Sequence, residues 1–593
     1  RSIGSLTAGF TQPQTYYSGS IPSVFATGAP TALASPSKSL AIGETTGLVL
    51  VKENPTTTAK SMTCAVTTVY NSGQMVGDIR GAWLADTTAE TVTASGELVT
   101  NGTFTSDITG WTDQTSTDAT PSWNAGKLRL TRDTLDTPAY VYQAITTVIG
   151  KTYFLSVDIV STCTTFVRAS TTSGSAGDLY SSADKTGSFT ATGTTTYISV
   201  WAYLGAATTT ADFDNISIKL AEPDRSVKNK GLVINGSLTK TAVASGAGLV
   251  AYSGFSAANY FEQPYNSDLD FGTGDFCVMG WVNATTSGGT MFHRGAYSGS
   301  YSGSAISVAC SSDKVWFRIT DDAYVTSDSF VGVADVLDST WHFVTCLRSG
   351  STLYIYVDGR LDASAAVANA AASLSNASAT ARLGLDLAGA NQFLNGSLAL
   401  WRISATAPSA DQIAHIYRTE LPLFQASAQC TIAGSSTAVT ALAFDDTSEL
   451  LHVGTSWGRT GFKDLLRVDS EATTTGALTS LSASQGVIIT GGTSGKVYVP
   501  AMLLRDELRR KDEARKALGK TPVFFDYTAT ASQTAFVAPK GYTIKAVYHN
   551  GTLKRETTTG VYWTRSSDGF AETCTLSAGA TVSDWISLMC VRT

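Results

Sequence analysis

A Gly-x-Ser-x-Gly pattern at residues 454–458 (GTSWG) is the first candidate for chemistry in this 593-residue chain. In hydrolases this pattern presents a serine nucleophile on a sharp turn between a strand and a helix, with an acid and a histidine further along the chain. Here apolar runs typical of strands flank the pattern on both sides, and the only later histidine is His549. We therefore interpret residues 454–458 as a hairpin turn.

A carboxylate pair for glycoside hydrolysis is the second candidate. Retaining glycosidases hold two carboxyl groups about 5–5.5 Å apart, and an alternating Glu-x-Asp-x-Glu strand delivers such a pair. The sequence has no such run, and the nearest string is 267–270 (SDLD). It also lacks an HExxH motif, and residues 491–496 (GGTSGK) lack the spacing of a phosphate-binding loop. The sequence therefore predicts that the protein is not an enzyme.

The cysteines do not have the spacing of a metal site. Zinc sites need paired ligands a few residues apart. The eight cysteines are far apart: Cys64, Cys163, Cys277, Cys310, Cys346, Cys430, Cys574 and Cys590. Most lie in apolar, strand-like runs, so we expect reduced thiols that act as small core hydrophobes.

Composition predicts a multi-domain all-β protein. Glycine (53 residues), tyrosine (23), phenylalanine (23) and tryptophan (11) are abundant, and only 15% of residues are charged. A formal net charge of −7 argues against nucleic acid as a partner, because phosphate binding needs a basic face. No stretch approaches the roughly 18 apolar residues of a membrane span.

Short segments with a strand, a glycine turn and a second strand recur at residues 42–51, 453–458 and 490–499. Hairpins that repeat at intervals of roughly 40 residues are typical of propeller blades. We therefore predict a propeller-like hairpin scaffold over residues 1–94 and 425–498, interrupted by inserted domains. Alternatively, the glycine turns are the ordinary turns of a β protein.

The first inserted unit, residues 95–222, opens with 97–104 (ELVTNGTF) and Trp111 and closes with 211–218 (ADFDNISI). This pattern resembles the jelly rolls of carbohydrate-binding modules of the family 4/9 type. The resemblance implies a groove lined with aromatic side chains that binds a glycan chain. It also implies a structural calcium ion, for which Asp214 is the candidate ligand; alternatively Asp214 holds a turn.

Aromatic rings bind sugars because one face of a pyranose is apolar. Under the resemblance, the candidate glycan-binding residues are Trp111, Trp123, Tyr140, Tyr142, Trp201 and Tyr203. The alternative for each is a place in the sandwich core, where an aromatic side chain buries about 150–250 Å².

The second unit, residues 231–424, carries an ordered series of motifs that resembles the laminin-G-like, concanavalin A-type sandwich. The motifs are 260–265 (YFEQPY), 269–276 (LDFGTGDF), 280–282 (GWV), 339–344 (STWHFV), 353–360 (LYIYVDGR) and 395–403 (NGSLALWRI). Residues 354–358 alternate as a strand that ends in a tight Asp-Gly turn. We place Trp281, Trp341 and Trp401 on inner-facing positions and interpret His342 as structural.

A connector helix is predicted at residues 499–520, with Pro500 at its start and Gly519 at its end. It is either part of a short trimeric stalk or a solvated connector. A small β module follows at residues 521–593, with a hairpin turn at Asn550-Gly551. Its opening string 523–536 (VFFDYTATASQTAF) resembles a module of bacteriophage tail fibres, and residues 70–86 resemble a stretch of phage proteins.

Together these resemblances imply a structural phage tail protein, a fibre or spike of the virion, whose sandwiches bind host-surface glycans. They imply a homotrimer with other tail proteins as partners. Three alternatives remain. The first is a secreted bacterial glycan-binding accessory protein, and the second is a decorative virion protein that binds nothing. The third is a capsule depolymerase, which would need a carboxylate pair assembled from separate domains.

Overall fold

The computed structural model describes most of the chain from residue 31 to residue 592. The described ranges are 31–34, 39–52, 60–114, 119–132, 138–204, 206, 208–285, 289–297, 300–320, 327–366, 373–387, 392–472, 477–484, 487–491, 496–498, 522–528, 533–537, 542–549, 552–554, 563–567, 572–580 and 585–592. Residues up to 432, with 464–468, form one compact unit, and residues 433–463 with those from 469 onward form a second. The described part of the chain is nearly all β, as its composition predicts.

The first sheet has five antiparallel strands, and each pairs with the next along the chain. They are β1 (Thr31–Ala34), β2 (Ser39–Glu44), β3 (Gly47–Lys52), β4 (Met62–Val66) and β5 (Met75–Val76). Glu44 pairs with Gly47, which leaves a two-residue turn between β2 and β3. The hairpin predicted at residues 42–51 is therefore confirmed, while its membership of a propeller stays a prediction.

The chain continues through β6 (Ile79–Trp83) and β7 (Glu90–Thr93) into the first sandwich. The sandwich strands are β8 (Thr112–Asp113), β9 (Ala119–Trp123), β10 (Leu128–Arg132), β11 (Ala139–Thr146), β12 (Thr152–Ser161), β13 (Thr164–Ser170), β14 (Tyr180–Ser182), β15 (Thr186–Thr190), β16 (Thr195–Leu204) and β17 (Thr210–Glu222).

Two sheets make up this first sandwich. A five-stranded sheet in the order β14-β13-β16-β11-β8 forms one layer, and β9, β10, β17, β12 and β15 form the other. Leu128, Val141, Leu155, Val200 and Phe213 are among the buried apolar side chains that fill the space between the layers. Because successive residues of a strand point to opposite faces, every second residue of the five-stranded sheet lies on its outer face.

The second sandwich follows. Its strands are β18 (Leu232–Asn235), β19 (Ser237–Ala242), β20 (Val250–Ser253), β21 (Tyr260–Gln263), β22 (Phe276–Ala284), β23 (Thr290–Tyr297), β24 (Tyr301–Ser311), β25 (Lys314–Thr320), β26 (Ser327–Asp335), β27 (His342–Ser349), β28 (Thr352–Val357), β29 (Arg360–Ala366), β30 (Thr380–Leu383) and β31 (Gly396–Ser404). A 3-10 turn (Ser267–Leu269) precedes β22.

One sheet is continuous between the two sandwiches. Its order is β15-β12-β17-β18-β21-β30-β23-β24-β25-β26, so β17 of the first sandwich pairs with β18 of the second. The opposite layer of the second sandwich has the order β29-β28-β27-β22-β31-β20-β19-β7, and β6 also pairs with β31. Residues 79–93, which we assigned to the hairpin scaffold (1–94), thus supply two strands of this nine-stranded sheet.

The Asp-Gly turn predicted after residue 357 is confirmed. Val357 pairs with Arg360 across β28 and β29, and the two residues between them have positive φ, 51° at Asp358 and 75° at Gly359. Positive φ at both central positions is the type I′ geometry that matches the twist of a hairpin.

A helix that we did not predict, α1 (Ala410–Glu420), follows β31 and runs into a 3-10 turn (Leu421–Phe424). The Ser409 hydroxyl accepts from the Gln412 amide, and the Gln412 side chain accepts from the Ser409 amide. This is a capping box, a Ser-x-x-Gln signature that can be read from sequence. None of the helices among the described residues is long and apolar enough to cross a membrane.

Only one of the three tryptophans that we placed facing inward does so. Trp401 belongs to the buried core between the sheets. A Cβ atom at Gly280 would lie 2.5 Å from its ring, so this position needs glycine. Trp281 instead lies on the outer face of the nine-stranded sheet, where its ring stacks on Phe424 at 4.1 Å. Trp341 also contacts Phe424, at 4.9 Å. The placement of Trp281 and Trp341 was wrong, because α1 and its 3-10 turn cover this outer face.

A buried ion pair fixes the helix to the sheet. Glu420 is fully buried and accepts hydrogen bonds from Arg402 of β31, from the Trp281 indole (2.8 Å) and from the Gln74 amide (2.7 Å). Removing one partner of such a pair leaves a charge buried without compensation. The same carboxylate therefore joins α1, the second sandwich and the chain segment before β6.

The second compact unit contains further antiparallel sheets. Its strands are β32 (Val439–Asp445), β33 (Leu450–Thr455), β34 (Gly458–Lys463), β35 (Leu466–Ala472), β36 (Ser480–Ser484), β37 (Val487–Gly491), β38 (Lys496–Tyr498), β39 (Pro522–Thr528), β40 (Gln533–Val537), β41 (Tyr542–His549), β42 (Thr552–Lys554), β43 (Trp563–Ser567), β44 (Glu572–Ala580) and β45 (Trp585–Arg592); β35 begins in the first unit.

Several predictions for this part of the chain can be compared with its strands. Residues 454–458 join the antiparallel pair β33 and β34, which confirms a hairpin turn in place of a strand–helix elbow. His549 pairs with Thr552, the register that a two-residue turn requires, although Asn550-Gly551 itself lies outside the described residues. The predicted helix at 499–520 also lies outside them.

Candidate functional site

Aromatic side chains collect on the outer face of the five-stranded sheet of the first sandwich. Strand alternation sends the small and aliphatic residues of β11, β13 and β16 into the core. The residues between them point outward: Tyr140 and Tyr142 on β11, Phe166 and Arg168 on β13, and Tyr197, Ser199, Trp201 and Tyr203 on β16. Four of the six predicted glycan-binding residues, Tyr140, Tyr142, Trp201 and Tyr203, are thus brought to one face. We call these eight residues the aromatic face.

A three-layer stack stands at its centre. The ring of Tyr140 is parallel to the Trp201 indole, with 3.7 Å between centroids and 3° between planes. The guanidinium carbon of Arg168 lies 4.2 Å from the centroid of the same indole. Strands β11 and β13 flank β16 on opposite sides, so the phenol and the guanidinium cover opposite faces of the indole.

Trp201 is therefore a support within this face. Only 6% of the residue is exposed, and its indole N–H donates to Ser199 at 2.7 Å. With both ring faces covered, Trp201 has only an edge to offer a ligand. Neither face of this indole is therefore open for the sugar stacking that we predicted.

The exposed aromatic surface lies around the stack. Tyr203 is 37% exposed and meets Phe166 edge to face at 5.6 Å. Tyr142 and Tyr197 form a second edge-to-face pair at 5.7 Å. The Tyr140 hydroxyl donates to Gln114 at 3.0 Å, and partial burial raises the pKa of this phenol. Such a surface combines apolar ring faces with hydroxyl groups at their rims.

Arg168 is the cation of the aromatic face. Its guanidinium also lies 5.1 Å from the Phe166 ring and 5.8 Å from the Tyr203 ring. Its Nε donates to Ser181 at 3.2 Å. Burial against these rings lowers the pKa of Arg168, although a group of this kind stays charged at any ordinary pH.

Two of the predicted residues lie elsewhere. Trp111 is 8% exposed and belongs to the core between the sheets, where its ring packs 5.8 Å from Phe104. Trp123 is 46% exposed, but it lies on β9 in the other layer, and its indole N–H donates to the Phe104 carbonyl at 2.7 Å. Neither residue is part of the aromatic face.

The opening motif of the first sandwich is a structural loop. Trp111 donates to the Asn101 carbonyl at 3.3 Å, and the Asn101 side chain donates to Asp107 and Thr109. A Cβ atom at Gly102 would lie 2.1 Å from the Ile216 carbonyl oxygen. The Asn-Gly-x-Phe string therefore closes one end of the core.

Asp214, the candidate calcium ligand, accepts from the Asn215 amide at 2.8 Å. Asn215 has a φ of 49° and donates to Asp158, which lies opposite Asp214 in the β12–β17 register. Within the described ranges no three His, Cys, Asp or Glu side chains come together in a way that could hold a metal ion. Calcium at Asp214 stays a prediction, and Asp214 lies within strand β17 beside an irregularity in the β12–β17 pairing.

The carboxylates of the SDLD string have separate structural partners. Asp268 pairs with Lys228 (2.7 Å) and Lys230 (2.9 Å). Asp270 pairs with Arg294 and accepts from the Tyr265 hydroxyl at 2.8 Å. Each carboxylate thus stabilises a loop at the edge of the second sandwich.

His342 has the structural surroundings that we expected. Its Nδ1 lies 2.9 Å from Asp358 and its Nε2 lies 3.1 Å from Asp338, and the bond with Asp358 raises the pKa of the imidazole. The bond joins the start of β27 to the β28–β29 turn.

The six cysteines whose side chains are described are free thiols. All but Cys163 are buried, and burial raises the pKa of Cys64 and Cys430 to about 12. These thiols therefore have the properties of small core hydrophobes, as predicted.

Sequence reasoning missed Phe166 and Arg168. The signal was present, because residues 164–170 (TTFVRAS) alternate as the strand β16 does. What the sequence lacked was the pairing of β13 with β16, which places Phe166 opposite Trp201 and Arg168 opposite Ser199.

Comparison with solved structures finds many matches, and those named below are at low identity. Domain 4 of AbnA, a GH43 extracellular arabinanase from Geobacillus stearothermophilus, solved with arabinotriose, is 14% identical with a TM-score of 0.26, over 33% of this chain and 92% of that one. The Ruminococcus gnavus IT-sialidase CBM40 bound to α2,6-sialyllactose is 10% identical with a TM-score of 0.22, over 25% and 85%.

The binding domain of botulinum neurotoxin serotype G is 9% identical with a TM-score of 0.28, over 61% of this chain and 94% of that one. No curated protein sequence shows a significant match to the chain.

The comparison with family models confirms the prediction for the second sandwich. Residues 255–414 match the model described as the concanavalin A-like lectin/glucanases superfamily. The matched residues run from the loop before β21 into α1 and include strands of both sheets of the second sandwich. The chain is thus a nearly all-β protein whose second sandwich has the jelly-roll fold of the concanavalin A-like lectins.

Proposed function

We propose that the first sandwich binds a glycan chain through its aromatic face and that the protein works by binding, not by catalysis. The observation that supports this proposal is the gathering of Tyr140, Tyr142, Phe166 and Tyr203 around one stack on the outer face of a single sheet. A sheet face needs no such rings for its own core, which lies on the opposite side.

The physical basis is the burial of apolar area. The C–H face of a pyranose laid on a phenol ring removes apolar surface from water, worth roughly 25 cal/mol per Å². Hydroxyl groups at the rims of the rings supply hydrogen bonds that orient the sugar. One such site is weak, with a Kd on the order of millimolar, and several copies of the chain would raise the avidity through effective concentration.

We also propose a biological setting for the protein. It is a structural component of a phage tail, assembled as a homotrimer, that carries these sandwiches to the host surface. Residues 521–593 and 70–86 support this setting through their resemblance to phage tail modules. Host-surface glycan and other tail proteins are the proposed partners, and the virion is the proposed location.

The binding proposal is tested with purified chain, intact host-type cells and their extracted surface polysaccharide. Tyr203→Ala removes an exposed ring from the aromatic face, and Trp123→Ala removes an exposed ring from the other layer. Losing about 50 Å² of sugar contact costs roughly 1 kcal/mol, so we expect about fivefold weaker binding by Tyr203→Ala alone. If Tyr203→Ala binds the polysaccharide as tightly as Trp123→Ala does, the aromatic face is not the binding site.

The setting is tested separately. Gold-labelled antibody against the chain, viewed on phage particles by electron microscopy, should mark the tail, and light scattering should give three chain masses. Chain found free in the culture medium and absent from particles would favour the secreted accessory protein. A trimeric tail protein that binds no surface polysaccharide would be a decorative component. Release of reducing sugar from the polysaccharide would contradict a purely binding role.

A further inference from the structure

Arg168 differs from Arg129 of the same sandwich, because Arg129 is paired with a carboxylate. Arg129 makes a two-bonded pair with Asp212, with 2.6 Å for each bond. For Arg168 no carboxylate among the described residues lies within ion-pair distance, and its Nε donates a hydrogen bond to Ser181. A half-buried guanidinium thus stands among aromatic rings with no described counter-charge.

The rings hold this guanidinium in place. Its central carbon lies 4.2 Å from the centroid of the Trp201 indole, and the rings of Phe166 and Tyr203 are within 6 Å on the same side of the sheet. A cation over aromatic faces is stabilised by their quadrupoles. Because Trp201 is itself fixed by Tyr140, the arginine is held ready for a ligand and loses little freedom when it binds one.

Burial without a counter-ion has a cost that an anionic ligand would remove. Desolvation is the main reason that the pKa of Arg168 is lowered. Hydrogen bonds between ionised partners are about twice as strong as neutral ones, and a guanidinium matches the two oxygens of a carboxylate.

From this geometry we infer that the aromatic face takes an acidic sugar, whose carboxylate pairs with Arg168 while Tyr203 contacts the apolar side of its ring. This inference rests on the proposed glycan-binding function and adds the class of sugar to it. A sulfate ester on a neutral sugar shares the negative charge and can also offer two oxygens to a guanidinium, so the test includes a sulfated polymer as a separate probe.

The test uses full-length chain and affinity electrophoresis in gels that contain a defined polymer. The probes are polygalacturonate, alginate, hyaluronate and polysialic acid, each beside its carboxyl-reduced product, and dextran sulfate beside dextran. We expect at least one carboxylated polymer to retard the chain, with about tenfold weaker binding after carboxyl reduction. Added salt should weaken the retardation, because a half-exposed ion pair is screened.

Three variants identify the residue. Arg168→Gln should weaken binding of the carboxylated polymer about tenfold. The affinity of Arg168→Lys should lie between those of the wild type and Arg168→Gln, because lysine keeps the charge but lacks the planar fork of the guanidinium. Lys219→Gln removes one positive charge from the opposite layer and should bind like the wild type. Circular dichroism of each variant establishes that it is folded, and the lysine variant keeps the comparison meaningful if the glutamine variant is not.

Each possible result supports or overturns the inference that Arg168 binds an acidic sugar. Arg168→Gln that binds the acidic polymer as the wild type does, or equal retardation by acidic and carboxyl-reduced polymers, would overturn the inference. Retardation by dextran sulfate and by none of the carboxylated polymers would also overturn it. Binding of neutral polymers alone would end the inference and leave the glycan proposal standing, whereas no retardation by any polymer would overturn both.

Discussion

Removal of the Trp201 indole would take the support from two neighbours, because Tyr140 and Arg168 lie against its opposite faces. A Trp201→Ala variant that fails to bind a glycan would therefore not place the sugar on the indole. Single substitutions of Tyr203 or Arg168 report more directly, since each carries exposed surface and supports less of the face. At the scale of the residue, a buried aromatic and an exposed one need different experiments.

His293 illustrates how burial makes one residue sensitive to pH. It lies on β23, 3% exposed, with Ser307 at 2.9 Å and Asp386 at 3.4 Å, and burial lowers its pKa to about 4, aided by Arg318 and Arg382 and opposed by Asp386. In an unfolded chain the pKa is near 6.5. Between pH 6.5 and 4 the unfolded chain gains a proton that the folded chain does not, so the free energy of unfolding falls as pH falls through this window.

We predict that the stability advantage of the wild type over His293→Gln shrinks from pH 7 to pH 4.5. Urea unfolding at several pH values, followed by circular dichroism, measures it. His342→Gln is the matched control with the opposite sign, because the raised pKa of His342 gives stability that is complete at low pH and lost as pH rises. An advantage over His293→Gln that stays constant with pH would contradict the assignment.

At the scale of the element, α1 and its 3-10 turn pack over the outer face of the nine-stranded sheet and form a fixed lid on it. Phe424 of that turn stacks on Trp281 and touches Trp341, and Tyr417 of α1 also stacks on Trp281 at 5.8 Å. The lid makes both faces of β22 apolar, which is why its burial shows no alternation.

Phe424→Ala should destabilise the second sandwich by about 3 kcal/mol, the cost of the cavity that is left when a buried aromatic side chain is removed. It should also shift tryptophan emission to longer wavelength, since water would reach Trp281 and Trp341. Urea unfolding and fluorescence of the same samples measure both effects. Leu361→Ala, at a position 55% exposed, should change neither, and an unshifted emission in Phe424→Ala would show that the turn does not shield the indoles.

Sequence patterns predicted elements better than they predicted faces. The order of the strands around Trp341 and the Asp358-Gly359 turn followed from local motifs, because a hairpin turn depends on a few adjacent residues. The side on which Trp281 points did not follow, because an apolar run such as residues 276–282 has no alternation to read. For the candidate site, Tyr140 and Tyr142 share a face by periodicity alone, whereas the arrival of Arg168 beside them depends on strand pairing between distant parts of the chain.

At the scale of the whole first unit, the two sandwiches are joined by a common sheet and by a small buried cluster. Strand β17 pairs with β18, and Phe154 of β12 packs with Ala221 of β17 and Val233 of β18 in one buried cluster. Tyr252 of the second sandwich donates to Glu222 at the end of the first. Two sandwiches that share backbone pairing, a small buried cluster and a buried hydrogen bond should not unfold independently of each other.

Phe154→Ala should therefore lower the hydrogen-exchange protection of β12 in the first sandwich and of β22 and β31 in the second by the same free energy, about 3 kcal/mol. Val160→Ala lies on the same strand at a position 65% exposed and should leave all three strands unchanged. Loss of protection confined to β12 would mean that the sandwiches unfold separately and that the shared sheet is only a contact. Equal loss would mean that a glycan bound at the aromatic face stabilises the lectin-like sandwich as well, because a ligand that binds the folded state raises the free energy of unfolding of the whole cooperative unit.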